Sequence, residues 1–176
     1  MSELKLVSCN LEQHGDTILE ILNEAIENST ALYDYQPRSK ESMVSWFAAK
    51  QAGDFPVIGI ESVEGKLLGF ASYGTFRAWP AYKYSVEHSI YVHHEHRGQG
   101  LGQTLLLAII EAAREQQKHV LIGGIDASNT GSIALHEKHG FNKVGELPQV
   151  GFKFGRWLDM AFYQLTLETP QNPTDG

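Results

Sequence analysis

The run Arg97-Gly98-Gln99-Gly100-Leu101-Gly102 is the most chemically suggestive stretch of the chain. It lies between a β-type run, Ser89–Val92, and an amphipathic helical pattern that starts at Leu101. Glycines allow a backbone to approach a phosphate closely. The free N–H groups and the dipole of a following helix then attract the anion. A phosphorylated ligand is therefore expected at this turn. Upstream, Glu87 would share one side of the strand with Ser89 and Tyr91, which suits a carboxylate that takes a proton. Arg77 is a guanidinium fork suited to a carboxylate or similar oxyanion, with Phe76, Trp79 and Tyr82 near it in sequence. Those aromatics either wall a pocket or serve ordinary packing.

Two nucleotide-binding patterns fit poorly. A P-loop ends in Gly-Lys-Ser/Thr, whereas Gly102 is followed by Gln103-Thr104. A dinucleotide fingerprint needs G-x-G-x-x-G early in a βαβ unit, and the spacing here is G-x-G-x-G, deep in the chain. His93, His94, Glu95 and His96 imitate a metal cluster but share no helical face and lack a distant further ligand set, so no metal is expected. His136-Glu137-Lys138-His139 is one residue short of H-E-x-x-H. The single cysteine, Cys9, excludes an intrachain disulfide framework. The net charge of −7 argues against nucleic acid as a generic partner. No apolar run reaches membrane-spanning length and the N-terminus lacks a signal-type pattern, so no membrane partner and a cytoplasmic location are expected.

The elements that must position these residues follow from periodicity. Leu4–Val7 reads as a first strand and residues 16–28 as a helix with Ile18, Leu19, Ile21, Leu22, Ala25 and Ile26 at helical spacing. A second helix runs from about Ser39 to Gly53. Strands follow at residues 56–63 and 66–73, joined at Glu64-Gly65, then at 84–92. A helix over 101–116, a strand over 120–125 and a short helix over 132–139 come next, then strands over 141–146 and 157–167. The expected architecture is one α/β (α+β mixed) domain, residues 1–168, with a flexible tail over 169–176. Gly123-Gly124 stands out, since glycine weakens a strand unless something must approach closely.

Taken together, these motifs resemble the GNAT superfamily of N-acetyltransferases. The family's Arg/Gln-x-x-Gly-x-Gly/Ala turn after the fourth strand is matched by Arg97–Gly102, and Asn129 matches its Asn after the fifth strand. His136 stands where most members carry Tyr, ahead of Gly140-Phe141. That departure points to the phosphinothricin and methionine sulfone (or sulfoximine) branch. The chain carries that branch's segments as Tyr73-Gly74-Thr75-Phe76-Arg77, Val86–Val92, Leu135-His136-Glu137 and Gly151–Asp159. The match runs from about residue 20 to about residue 165.

The resemblance implies a GNAT fold. Its central, mostly antiparallel sheet of six to seven strands would be splayed between strands 4 and 5 and flanked by about four helices. It implies acetyl-CoA as donor, held by Ile90, Tyr91, Val92, Arg97, Gly98, Gln99, Gly100, Leu101, Gly102, Gln103 and Asn129. The Val92 N–H would polarise the thioester carbonyl. Phe76, Arg77, Trp79, Glu87, His88 and Ser89 would bind the acceptor, with Lys153 and Arg156 in second rank. Glu87 would be the base. His136 would be a general acid, a proton relay or a packing residue. No Cys or Ser nucleophile sits near the glycine turn, so direct attack in a ternary complex is expected. The expected reaction moves acetyl to the α-amine of phosphinothricin, methionine sulfone or methionine sulfoximine, in a homodimer. A polyamine, an aminoglycoside or a protein N-terminus as acceptor, and a non-catalytic CoA-binding module, are the rivals.

Overall fold

The structure, a computed structural model, describes residues 3–176. In chain order the elements are β1 (Lys5–Ser8), α1 (Leu11–Asn28), α2 (Lys40–Ala52), β2 (Val57–Glu61), β3 (Leu67–Thr75), β4 (Ser85–Val92), α3 (Leu101–Glu115), β5 (Val120–Asp126), α4 (Thr130–Lys138), β6 (Asn142–Lys153) and β7 (Arg156–Thr166). The strands form one mixed sheet in the order β1-β2-β3-β4-β5-β7-β6. Its β4–β5 pair is parallel, and the β1–β2, β2–β3, β5–β7 and β6–β7 pairs are antiparallel. The parallel ladder covers Ser85↔Val120, Val86↔Leu121 and Glu87↔Ile122. It stops there, although β4 runs on to Val92 and β5 to Asp126.

The residues fall into two compact units, one made of the chain up to Gly74 with Ser89–Ile109, the other of Thr75–His88 with Ile110–Gly176. β4 and α3 each contribute to both. In the first unit, Ile18, Ile21 and Leu22 of α1 meet Met43 of α2 and Val57, Leu67 and Phe70 of the strands. Trp46 packs edge-on to Phe70 at 6.0 Å between ring centroids, and Tyr91 lies 5.4 Å from the same ring. Both helices start on side-chain caps, Asn10 accepting from the Gln13 N–H and Ser39 from the Ser42 N–H. In the second unit, Val86, Leu121, Ile125, Ala113, Phe141, Leu158 and Ala161 are each buried.

Two expectations needed adjustment. Helix α1 starts at Leu11 rather than residue 16, because its first turn buries His14, whose ring is held 2.7 Å from Glu61, and not an apolar side chain. Strand β6 continues to Lys153, well past residue 146. It survives Pro148 because the ladder skips from Leu147 to Gly151, with Gln149 at φ 55 and its N–H donating to Asp159 Oδ1 at 2.7 Å. In the tail, Tyr84 Oη accepts from the Thr174 N–H at 3.0 Å and the Thr169 carbonyl lies 2.7 Å from His119 Nδ1.

Candidate functional site

Strand β4 alternates strictly through its first half: Val86 and His88 are buried, Glu87 and Ser89 exposed. Glu87 therefore points to the opposite sheet face from His88. Partial desolvation raises the Glu87 carboxyl above the usual carboxylate range, and among the described residues no cation offsets it. Such a group takes up a proton more readily than an ordinary surface glutamate.

His88, expected among the acceptor-binding residues, lies on the face opposite Glu87. It is 5% exposed and turned toward α4. Its Nε2 lies 2.9 Å from Nε2 of His136, with the two rings stacked at 5.1 Å. The other His136 nitrogen, Nδ1, lies 2.7 Å from the Ser132 carbonyl one turn back on the helix. Phe141 closes the pair, its ring 4.9 Å from His136 and 5.3 Å from His88. This arrangement accounts for Gly123. A Cβ there would come within 3.1 Å of His88 Cε1 and 3.4 Å of His136 Nε2, so any side chain would push into the rings. Burial lowers both imidazoles, His88 to about 3, with the neighbouring His136 lowering it further. His136 thus sits with both ring nitrogens engaged by the protein.

Helix α4 is capped by Asn129, whose Oδ1 accepts from the Ser132 N–H at 3.2 Å. That leaves its amide NH₂ for a ligand. In the same unit, Arg77 lies 5.2 Å from the Trp79 ring centroid and 5.9 Å from that of Tyr82, which is itself 5.9 Å from Phe76. Arg77 and Trp79 are exposed, so this aromatic-flanked guanidinium faces solvent. Lys153 is buried with its Nζ 5.0 Å from the Phe154 ring, and Arg156 is exposed.

The glycine turn belongs to the first unit. Gly98 and Gly100 hold φ of 75° and 78°, the left-handed region that favours glycine, and a Cβ on either would meet open space. The first turn of α3 follows at once, its Leu101 buried and Gly98, Gln99 and Gly100 exposed. Backbone freedom, exposure and a helix N-terminus thus coincide, which fits an anion. Arg97 is not turned wholly to that task, because its Nη2 donates to Glu24 Oε2 at 2.8 Å. Upstream, Gly69 on β3 makes room for the end of β4. A Cβ there would lie 2.9 Å from the Tyr91 carbonyl and 3.2 Å from Val92 Cα.

The donor atoms of His93, Glu95 and His96 lie within 4.8 Å of one another. Both His93 nitrogens are already used, Nε2 facing Glu20 Oε1 at 3.0 Å and Nδ1 accepting the Glu95 N–H at 3.2 Å. The cluster is a hydrogen-bonded turn that leads into the glycines. Asp34 in the loop after α1 accepts from Arg38 Nε at 2.9 Å, and Asn23 holds the Arg38 backbone from both sides. Sequence reading also passed over Lys50 at the end of α2. Its Nζ donates to the Tyr73 carbonyl at 3.0 Å and lies 5.3 Å from the Trp46 ring, and burial lowers its pKa to about 8. Nothing in the helical pattern distinguishes Lys50 from a solvated lysine. No described helix is long and apolar enough to cross a membrane.

Comparison with known proteins agrees with the geometry. The model of the acetyltransferase (GNAT) family matches residues 17–141. An L-methionine sulfoximine/L-methionine sulfone acetyltransferase of Pseudomonas paraeruginosa is 44% identical over 86% of this chain and 88% of its own length. A solved chain from Acinetobacter baylyi ADP1 is 57% identical, covers 100% of this chain and 98% of its own, and superposes with a TM-score of 0.98. A GNAT superfamily phosphinothricin acetyltransferase from Sinorhizobium meliloti, solved with acetyl-CoA, is 33% identical. It covers 98% of this chain and 94% of its own, with a TM-score of 0.92.

Proposed function

Because the chain belongs to the GNAT acetyltransferase family, we propose that it moves an acetyl group from acetyl-CoA to the α-amine of a small amino-acid-like acceptor of the methionine sulfone, methionine sulfoximine or phosphinothricin type. The observation that carries this reading is Glu87. It is a partly desolvated carboxyl, with its pKa raised and no described cation beside it, on the strand that runs on to the glycine turn.

The residues at the turn fit a CoA donor. Left-handed Gly98 and Gly100 and the first turn of α3 offer backbone N–H groups to its phosphates. Acetyl-CoA supplies the activated thioester. Glu87 takes the proton from the acceptor's ammonium, directly or through water, as the nitrogen becomes nucleophilic. Arg77, held beside Trp79 and Tyr82, pairs with the acceptor's carboxylate or its phosphinate or sulfone oxygens. Attack is direct within a ternary complex, since Cys9 is half-buried with its thiol pushed up to about 12 and makes a poor nucleophile.

Acetylation removes the ammonium charge on which an amino-acid mimic depends, so a detoxifying role follows from the reading. The cytoplasm is the proposed setting, and a homodimer the proposed assembly. The exposed apolar side chains of the β6–β7 hairpin, among them Val144, Val150 and Trp157, support the latter. Thiol release from acetyl-CoA, followed with each candidate amine in turn, tests the substrate class. Turnover with methionine sulfone or phosphinothricin is expected. Turnover with spermidine or a peptide N-terminus but with no amino-acid analogue would overturn the proposal.

A further inference from the structure

The reaction proposed above gives work to Glu87 and leaves open what His136 does and why a second imidazole is buried against it. The Ser132 carbonyl has no proton to give, so at 2.7 Å the proton between it and His136 must sit on Nδ1. In the neutral ring, His136 Nε2 is then a bare lone pair. At 2.9 Å from another ring nitrogen it requires that His88 Nε2 carry a proton. His88 Nδ1 is thereby left bare. It is indeed a buried ring nitrogen without a hydrogen-bond partner of good geometry, the nearby Ile122 carbonyl only partly favouring charge on the ring. The contacts fix one direction: Ser132 carbonyl, His136, His88, open nitrogen.

We infer that His88 is a positioning residue that acts through His136, its Nε2–H holding that ring as the neutral Nδ1–H tautomer over Gly123. The inference rests on the acetyltransferase reading. It assigns His136 a defined starting state, a neutral ring rather than a standing acid. With Nε2 accepting from His88 and Nδ1 donating to the Ser132 carbonyl, the ring has no acidic N–H to spare, and the ammonium proton remains the work of Glu87.

The surroundings suit a pair that is neutral at rest. Just past α4, His139 opposes a charge on His136. On β4, the adjacent Glu87 points to the other sheet face. β5 brings only Gly123 and the Ile122 carbonyl, and Phe141 brings an apolar ring. Burial favours the uncharged form of both rings.

The test joins two readouts. Imidazole ¹⁵N NMR of the unliganded wild-type protein at neutral pH should show His136 protonated at Nδ1 and His88 at Nε2, both rings neutral. A charged ring or the opposite tautomers would overturn the inference without reference to activity. His88→Leu removes the donor to His136 Nε2 and is expected to lower kcat by about tenfold with KM for acetyl-CoA unchanged, and His88→Gln, which can still donate, should recover most of that loss. A folded His88→Leu protein with wild-type kcat, or one whose loss His88→Gln does not reduce, would remove His88 from this role. A wild-type protein that shows the NMR signature yet releases thiol with no amine would overturn the acetyltransferase reading, and His88's role with it, while leaving the hydrogen-bonded pair established.

Discussion

Glu87→Gln separates activity from stability. The substitution keeps the shape of a side chain that points to the exposed face of β4 and has no described ion-pair partner. Packing should therefore change by no more than about 0.5 kcal/mol. Loss of a general base lowers kcat by about 10²–10⁴-fold. The stability effect has a definite sign. Desolvation raises the folded-state pKa of Glu87, so between the ordinary carboxylate value and the raised one the folded protein binds more protons than the unfolded chain. Wild-type stability is then full below the ordinary value and declines as pH rises through that window, whereas Gln carries no such charge. The variant should be at least as stable as wild type at pH 7 and should lose its advantage as pH falls toward 4. Thiol-release kinetics across pH and denaturant melts at pH 4, 5.5 and 7 read both effects. An active Glu87→Gln enzyme would refute the base assignment. A variant destabilised by more than about 1 kcal/mol at pH 7 would show that the carboxylate is held by an ion pair, and the desolvation argument would fail.

Other positions give further tests. Gly100→Ala places a Cβ in open space but at φ 78°, so the backbone strain should cost about 1–2 kcal/mol, and melts together with a raised KM for acetyl-CoA check it. An unchanged KM would exclude this turn from donor binding. Arg77→Ala should raise the acceptor's KM by at least about tenfold and leave that of acetyl-CoA in place; equal effects on both contradict the assignment. For Lys50, the folded pKa of about 8 lies below the ordinary lysine value of 10.5, so the unfolded chain binds more protons between them and stability should rise with pH through that window. Lys50→Met should flatten that rise, and a melt series from pH 7 to 10.5 that shows the same slope in both proteins would contradict it.

Much of this was legible in the amino-acid order, for physical reasons. Helix α3 announces itself through Leu101, Leu105, Leu106 and Ile109 at helical spacing, all buried. The glycine turn is readable because only glycine sits easily at the φ of residues 98 and 100. The alternation of β4 correctly set Glu87 and Ser89 on one side. The same alternation turns His88 to the opposite face. The start of α1 was hidden because a buried histidine stands where an apolar residue would signal a turn. The meaning of Gly123 was unreadable, since it depends on two rings 48 positions apart in sequence meeting over it. Lys50 was invisible because its lowered pKa comes from burial by residues on other elements.

The central claim is direct acetyl transfer to an amino-acid-like amine, and mass spectrometry of a single-turnover mixture tests it most directly. With acetyl-CoA and methionine sulfone together, the account predicts N-acetyl methionine sulfone and free CoA in equal amounts. With acetyl-CoA alone it predicts protein of unchanged mass. Acetylated protein that then passes its acetyl group to the amine, or free CoA without an N-acetyl product, would contradict the account.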